Sequence, residues 1–187
     1  MNELFKNEMK TILKDEYDDF IQSLQKPPVK AFYLNPLKKD CLHYFNQDAI
    51  SPHPVVPDGY YFDYEKYPLG KSPFFSCGLY YIQEPSAMLV AHFLDIQKDD
   101  YILDLCGAPG GKSCAVASRL GPQGLMITND INTLRAKILS ENIERFGLKN
   151  TIVTNCDPIQ FTKILPEFFD KIILDAPCTG EGMFRKD

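Results

Sequence analysis

Between Tyr101 and Asp175 four short apolar runs, YILDLC, LMITND, TIVTNCD and KIILD, alternate with stretches of helical period. The pattern predicts strands over 101–106, 125–130, 151–157 and 171–175, and helices over 112–120, 134–146 and 159–165. Gly121 and Gly147 stand where the first two of those helices should close, because glycine takes the left-handed conformation of a helix end without strain. EPSAMLVAHFLD, residues 84–95, reads as one more helix, with Pro85 in its first turn and Met88, Leu89, Ala91, Phe93 and Leu94 on its apolar face. Strands that alternate with helices over short connections form a parallel sheet with helices on both faces. The fold class is therefore α/β, and four parallel strands are expected.

The N-terminal part is organised differently. Residues 2–25 carry apolar side chains at a rough helical spacing, stopped by Pro27-Pro28. From 29 to 83 the chain is rich in proline and aromatics, with a strand expected at 30–34. This reads as a small α+β appendage, and the division expected is 1–75 and 76–187. With 44% apolar and 24% charged residues, a chain of 187 residues can bury a core. It contains no apolar run of the roughly 20 residues a membrane helix needs, and its acidic, mixed N-terminus does not read as a signal peptide. A cytoplasmic protein is expected. Six cysteines show no CxxC spacing and no cluster with the three histidines, so no metal site is expected and the thiols read as mostly core. A net charge of −5 argues against a simple nucleic-acid binder.

In such sheets ligands bind beyond the C-terminal ends of the strands. The first strand runs into CGAPGGKS, Cys106 to Ser113. Gly107, Gly110 and Gly111 leave backbone amides uncovered, next to a helix start that favours electronegative groups. The second strand ends in Asp130, where an acid accepts bonds from ribose hydroxyls; Asn132 and Thr133 are available to cap the next helix in its place. The third ends in Asp157, placed for an adenine amino group or, equally, for a helix cap. Together the three ends suit an adenosine-type ligand. S-adenosylmethionine (SAM), cationic and without phosphate, suits a mouth lined by Asp104, Asp130, Asp157 and Asp175. The alternative is a P-loop nucleotide hydrolase, with Gly111-Lys112-Ser113 as its GKS and Asp175 as the magnesium-binding acid. Cys106 occupies the place of that motif's first glycine.

LDLCGAPGGKS, ending at Ser113, and LDAPCTGEGMFRKD, Leu174 to Asp187, resemble the Sun-type (Nop/Sun) family of RNA cytosine carbon-5 methyltransferases. GLYYIQEPSAM (Gly78 to Met88), KPPVKAFYLNPLK and VPDGYYFDY are similar to its bacterial small-subunit ribosomal RNA branch. Asn35-Pro36-Leu37 stands where that family commonly has Asn-Thr-Leu. The resemblance implies the first four strands of a Rossmann-like class I methyltransferase fold, SAM as cofactor and ribosomal RNA as partner. It implies a SAM site of Cys106, Gly107, Ala108, Pro109, Gly110, Gly111, Lys112, Asp130, Arg135, Asp157 and Asp175.

Cys178, on a loop just past an apolar strand, looks by position like an activated thiol. The resemblance implies two cysteines: the Pro-Cys one, here Cys178, assists product release, and a second in a Thr-Cys motif forms the covalent adduct. No Thr-Cys occurs in this sequence. Four parallel strands also leave an edge and half an apolar face uncovered. The expectation is a partial chain whose nucleophile lies beyond Asp187, able to bind SAM but not to complete methyl transfer. A non-catalytic RNA-binding module remains the third reading.

Overall fold

The computed structural model describes residues 2–178. These fall into two compact units, one of residues 2–29 with Pro177 and Cys178, the other of residues 30–176.

In the first unit, helix α1 (Glu3–Leu13) begins where the Asn2 side chain accepts the Leu4 amide at 2.9 Å, which satisfies an amide the helix itself leaves unpaired. A single 3-10 turn at Lys14–Glu16 leads into α2 (Tyr17–Gln25). Phe5 and Phe20 bring their rings to 6.3 Å between the two helices.

The second unit begins with β1 (Ala31–Leu34), β2 (Ile50–Pro52), β3 (Gly59–Phe62), the short helix α3 (Pro73–Ser76) and β4 (Tyr80–Ile82). These strands form an antiparallel sheet of order β2-β3-β1-β4. Successive side chains of a strand point to opposite faces, and all four residues of β1 are buried. Phe32 and Leu34 join a local aromatic core with Phe45, Phe62, Leu69 and Tyr80. Ala31 and Tyr33 face the other way, into the main core of the unit. The two sheets of the unit therefore share one core.

After α4 (Leu89–Phe93) come β5 (Tyr101–Asp104), α5 (Gly111–Ala117), β6 (Leu125–Asn129), α6 (Thr133–Phe146), β7 (Thr151–Thr154), α7 (Ile159–Ile164) and β8 (Lys171–Ile173). The four strands are parallel, as expected, in the order β7-β6-β5-β8. Register places Ile102 level with Met126, and Asp104 level with Thr128 and Ile173. Ile102, Met126 and Ile173 are in the main core, with Ala115 and Val116 of α5 and Leu139 of α6. Leu103, Ile127, Ile152 and Ile172 form a row on the opposite face. A pocket of about 350 Å³ lies there between Leu103, Ile172 and Phe161 of α7. Leu103 and Ile127 are buried on that face, whereas Ile152 and Ile172 are 51% and 57% exposed.

Three expectations need correction. The 84–95 segment is a 3-10 turn at Ser86–Met88 followed by only five α-helical residues. The third strand stops at Thr154 rather than reaching 157, because the Asn129 side chain captures the Cys156 amide at 3.1 Å and draws the chain off the ladder. The cysteines are not mostly core: only Cys114 is buried, Cys41, Cys106 and Cys156 are half-buried, and Cys77 and Cys178 are exposed. Among the described residues no helix is long and apolar enough to cross a membrane.

Candidate functional site

The chain leaves β5 through α5 toward β6 on one side, and β8 pairs on the other. The strand order thus reverses at β5, which opens a crevice at its C-terminal end. The segment 105–110 fills the rim of that crevice.

Gly107 shows why the loop must be glycine-rich. Its amide donates to the Asn129 carbonyl at 2.7 Å, and a Cβ there would stand 2.0 Å from Thr128 Oγ1 and 2.8 Å from Ser113 Oγ. Beneath it the Ser113 hydroxyl donates to Asp104 Oδ2 at 2.7 Å and meets Thr128 Oγ1 at 2.9 Å. Asp104 Oδ1 accepts the Cys106 amide at 3.3 Å. Burial raises the Asp104 pKa above the usual carboxylate range, opposed by the bonds from Ser113 and Cys106.

The loop is held from outside by α6. Its Ala108 carbonyl accepts from Arg135 Nη2 at 2.6 Å and its Pro109 carbonyl from Asn142 Nδ2 at 2.7 Å. Gly110 turns with φ +115°, and α5 starts at the next residue. The amides of Gly110, Gly111 and Lys112 have no backbone partner among the described residues, leaving donors at the helix start.

Asp130 follows β6 and is 2% exposed. Its Oδ1 accepts the Asn132 amide at 2.9 Å. Its Oδ2 lies 3.3 Å from Arg135 Nη1, close enough for charge attraction, but has no hydrogen-bond partner among the described residues. As anticipated, Asn132 caps the following helix, accepting from Leu134 and Arg135 amides. A buried carboxylate oxygen without a donor is costly, and at this strand end it is an acceptor poised for a ligand hydroxyl. Lys112 Nζ reaches across to Asp175 Oδ2 at 2.6 Å, beyond the end of β8.

The structure brings Cys106–Lys112, Asp130, Arg135 and Asp175 around one crevice. Asp157 is exposed and its Oδ1 accepts the Ile159 amide at 3.0 Å, which is the helix-capping alternative. Cys178 is exposed and belongs to the other compact unit; Thr179–Asp187 of the C-terminal motif lie outside the described residues. The hydrolase alternative is weakened at both of its elements: the Ser113 hydroxyl of its GKS is fully buried and bonded to Asp104 and Thr128, and Asp175, its magnesium-binding acid, pairs with Lys112. Two other thiols are poor nucleophiles: burial and the nearby Asp104 push Cys106 up, and burial pushes Cys114 up to about 12. No cluster of metal-ligating side chains occurs among the described residues.

Sequence reasoning missed Thr128, Asn129 and Asn142. The signal was present for the first two: polar side chains inside an apolar strand must find partners when buried. Asn129 is fully buried and donates to the Leu105 and Cys156 carbonyls at 3.3 and 3.0 Å.

Residues 91–187 match the family described as 16S rRNA methyltransferase RsmB/F, and residues 1–85 match the N-terminal domain of 16S rRNA methyltransferase RsmF. Ribosomal RNA small subunit methyltransferase F of Salmonella newport (strain SL254) is 38% identical over 181 residues, as is that of Salmonella agona (strain SL483). Each alignment covers 91% of this chain, which spans only 38% of the relative's length. A methyltransferase homolog protein from Pyrococcus horikoshii superposes with a TM-score of 0.87 at 28% identity, covering 100% of this chain and 63% of its own. NSun6 from Pyrococcus horikoshii, solved with SFG, shares the fold with a TM-score of 0.80 at 20% identity, over 95% of this chain and 71% of its own. On the match over 91–187, the chain belongs to the RsmB/F family of 16S rRNA methyltransferases.

Proposed function

We propose that this chain carries the SAM site of an enzyme that methylates carbon 5 of a cytosine in 16S rRNA. One observation carries the reading most directly. Asp130 offers a buried carboxylate oxygen that meets the Arg135 charge but accepts no hydrogen bond among the described residues, at the end of β6, beside loop amides that have no backbone partner among those residues. Those groups fit a ribose and an amino-acid carboxylate. Asp130 would accept from the ribose hydroxyls, and Arg135 would hold that acid in orientation. The Cys106–Lys112 loop would embrace the ligand, and Asp157 would stand near adenine. Bound SAM supplies an electrophilic methyl group.

Carbon 5 of cytosine is a weak nucleophile, so the base must first be activated by a thiolate at carbon 6 while held out of its stack. We assign Cys178 to release of the product and the activating thiolate to a residue outside this sequence. Lys112 and Asp175, paired across the mouth, are placed to orient the target base and the methionine end of the ligand. Residues 1–75 are proposed as the RNA-facing part and 76–187 as the start of the SAM domain, acting in the cytoplasm.

Calorimetry with SAM and, separately, with ATP and magnesium tests the ligand assignment. Heat from SAM alone is expected; heat from ATP–magnesium alone would overturn it. An RNA containing 5-fluorocytosine tests the division of labour: this chain should form no covalent adduct, and an adduct mapped to Cys178 would refute the product-release role.

A further inference from the structure

Helix α6 presents Arg135, Leu139 and Asn142 at positions i, i+4 and i+7, which share one face. All three touch the glycine-rich loop. Arg135 holds the Ala108 carbonyl, Leu139 lies 3.1 Å from where a Gly110 Cβ would be, and Asn142 holds the Pro109 carbonyl. Asn142 is in turn gripped from behind. Its Oδ1 accepts from Arg145 Nη2 at 2.8 Å and from Nε at 3.3 Å. That fork settles the amide orientation, because the nitrogen is then the atom facing Pro109.

Arg145 is itself anchored in the antiparallel sheet and its flanking helix. Nη1 donates to the Phe75 carbonyl at 2.7 Å and to the Tyr80 carbonyl at 3.5 Å. Its guanidinium stands 4.1 Å from the Phe75 ring centre and 5.8 Å from that of Tyr81. A planar guanidinium can satisfy a carbonyl and an amide oxygen at once and stack on a ring, which a lysine cannot. The same sheet also reaches the loop directly, since Tyr81 and Gln83 side-chain atoms lie 3.0 and 3.1 Å from a Cβ built on Gly111.

We infer that Asn142 and Arg145 are positioning residues, through which the antiparallel sheet sets the geometry of the loop that receives SAM. The inference rests on the proposed SAM site. It deepens that reading, because neither residue touches the crevice: they act through the Pro109 carbonyl. Fixing that carbonyl outward fixes the following peptide groups inward, and preorganised donors bind more tightly than mobile ones.

Asn142→Asp separates this role from a merely structural one. Asp keeps the volume and strengthens the bond from Arg145, but replaces the donor to Pro109 with an acceptor facing an acceptor. Arg145→Lys is the complementary change, keeping the charge and losing the fork. In the full chain, SAM affinity should fall at least about tenfold in each variant, and for Asn142→Asp, whose bond to Pro109 is exposed, the thermal midpoint should stay within about 2 °C of the parent. The double variant should lose little more than either alone, as expected for residues acting in series. Amide exchange at 108–112 without ligand should quicken in both variants, while that of β5 and β6 is unchanged. Loop exchange and SAM affinity within twofold of the parent for Asn142→Asp would overturn the inference. If the parent itself binds no SAM, the ligand assignment fails, and the exchange measurement still decides the relay.

Discussion

Gly107→Ala puts the loop geometry to its most direct test. The new Cβ would meet Thr128 Oγ1 at 2.0 Å, and must retreat by about 1.4 Å to reach an ordinary contact of about 3.4 Å. Neither neighbour can make room. Thr128 is fully buried in β6, with strands on both sides, and Ser113 is fully buried in α5. Rotating the threonine would break its contact with Ser113. The loop therefore has to lift, which strains the core by up to about 3 kcal/mol and loses the Gly107–Asn129 bond, worth about 1 kcal/mol. A loss of about 3–4 kcal/mol is expected, a large share of the 5–15 kcal/mol typical of a folded domain. Urea unfolding followed by circular dichroism measures it, read from the midpoint at constant slope. Adding Thr128→Ala removes the obstructing oxygen, so the pair should be more stable than the sum of the single losses by about 1–2 kcal/mol. A Gly107→Ala midpoint within about 0.5 kcal/mol of the parent would refute the close-approach argument.

Two further perturbations probe buried polar groups. Asn35 is fully buried and donates to the Gly78 and Phe146 carbonyls at 2.9 and 2.8 Å, so it ties the end of β1 to the segment before β4 and to the C-terminal end of α6. Asn35→Ala should cost about 2–4 kcal/mol in urea unfolding because two acceptors lose their donor; a change below about 0.5 kcal/mol would show that they rebond elsewhere. Asp104 concerns pH. Burial raises its folded pKa, so the native state holds that proton more tightly than the unfolded chain. Its contribution to stability is full below the unfolded value of about 3.9 and is lost as pH rises through the raised folded value. Relative to the parent, Asp104→Asn should gain stability as pH rises above about 4, until Asp104 is ionised in the folded state as well, measured by urea midpoints at successive pH values. A difference that does not vary with pH would contradict the raised pKa.

Much of this was legible in the sequence, for reasons that differ by element. The parallel strands announced themselves by apolar runs bounded by glycine and acids, and each began where the runs placed it. Asn132 and Gly147 marked the two ends of α6 because capping chemistry is local. The loop was legible because its glycines have a steric cause that Gly107 makes explicit. Long-range partners were not. Only β1 of the antiparallel sheet was foreseen. Its partners are strands of three or four residues drawn from segments up to about fifty residues apart. The end of the third strand was misplaced, since the capture of Cys156 by Asn129 ends it early and leaves Asp157, read equally as an adenine contact or a helix cap, accepting the Ile159 amide at the start of α7. Asn142 was invisible: an asparagine on a helix gives no sign of the carbonyl it will meet.

The register of β5 carries a consequence for how the molecule comes apart. It pairs Tyr101 with Leu125, a separation of 24 residues, but Ile102 with Lys171, a separation of 69. Loop-closure entropy makes the second pairing costlier by about 1 kcal/mol, and among the described residues β8 has only this one neighbour. Detaching β8 is thus a cheaper partial opening of the sheet than separating β5 from β6. Because Asp175 follows β8 directly, that opening draws it away from Lys112. The side of the crevice proposed to face the methyl-transfer chemistry is thus carried by the strand that leaves the β5 ladder most cheaply.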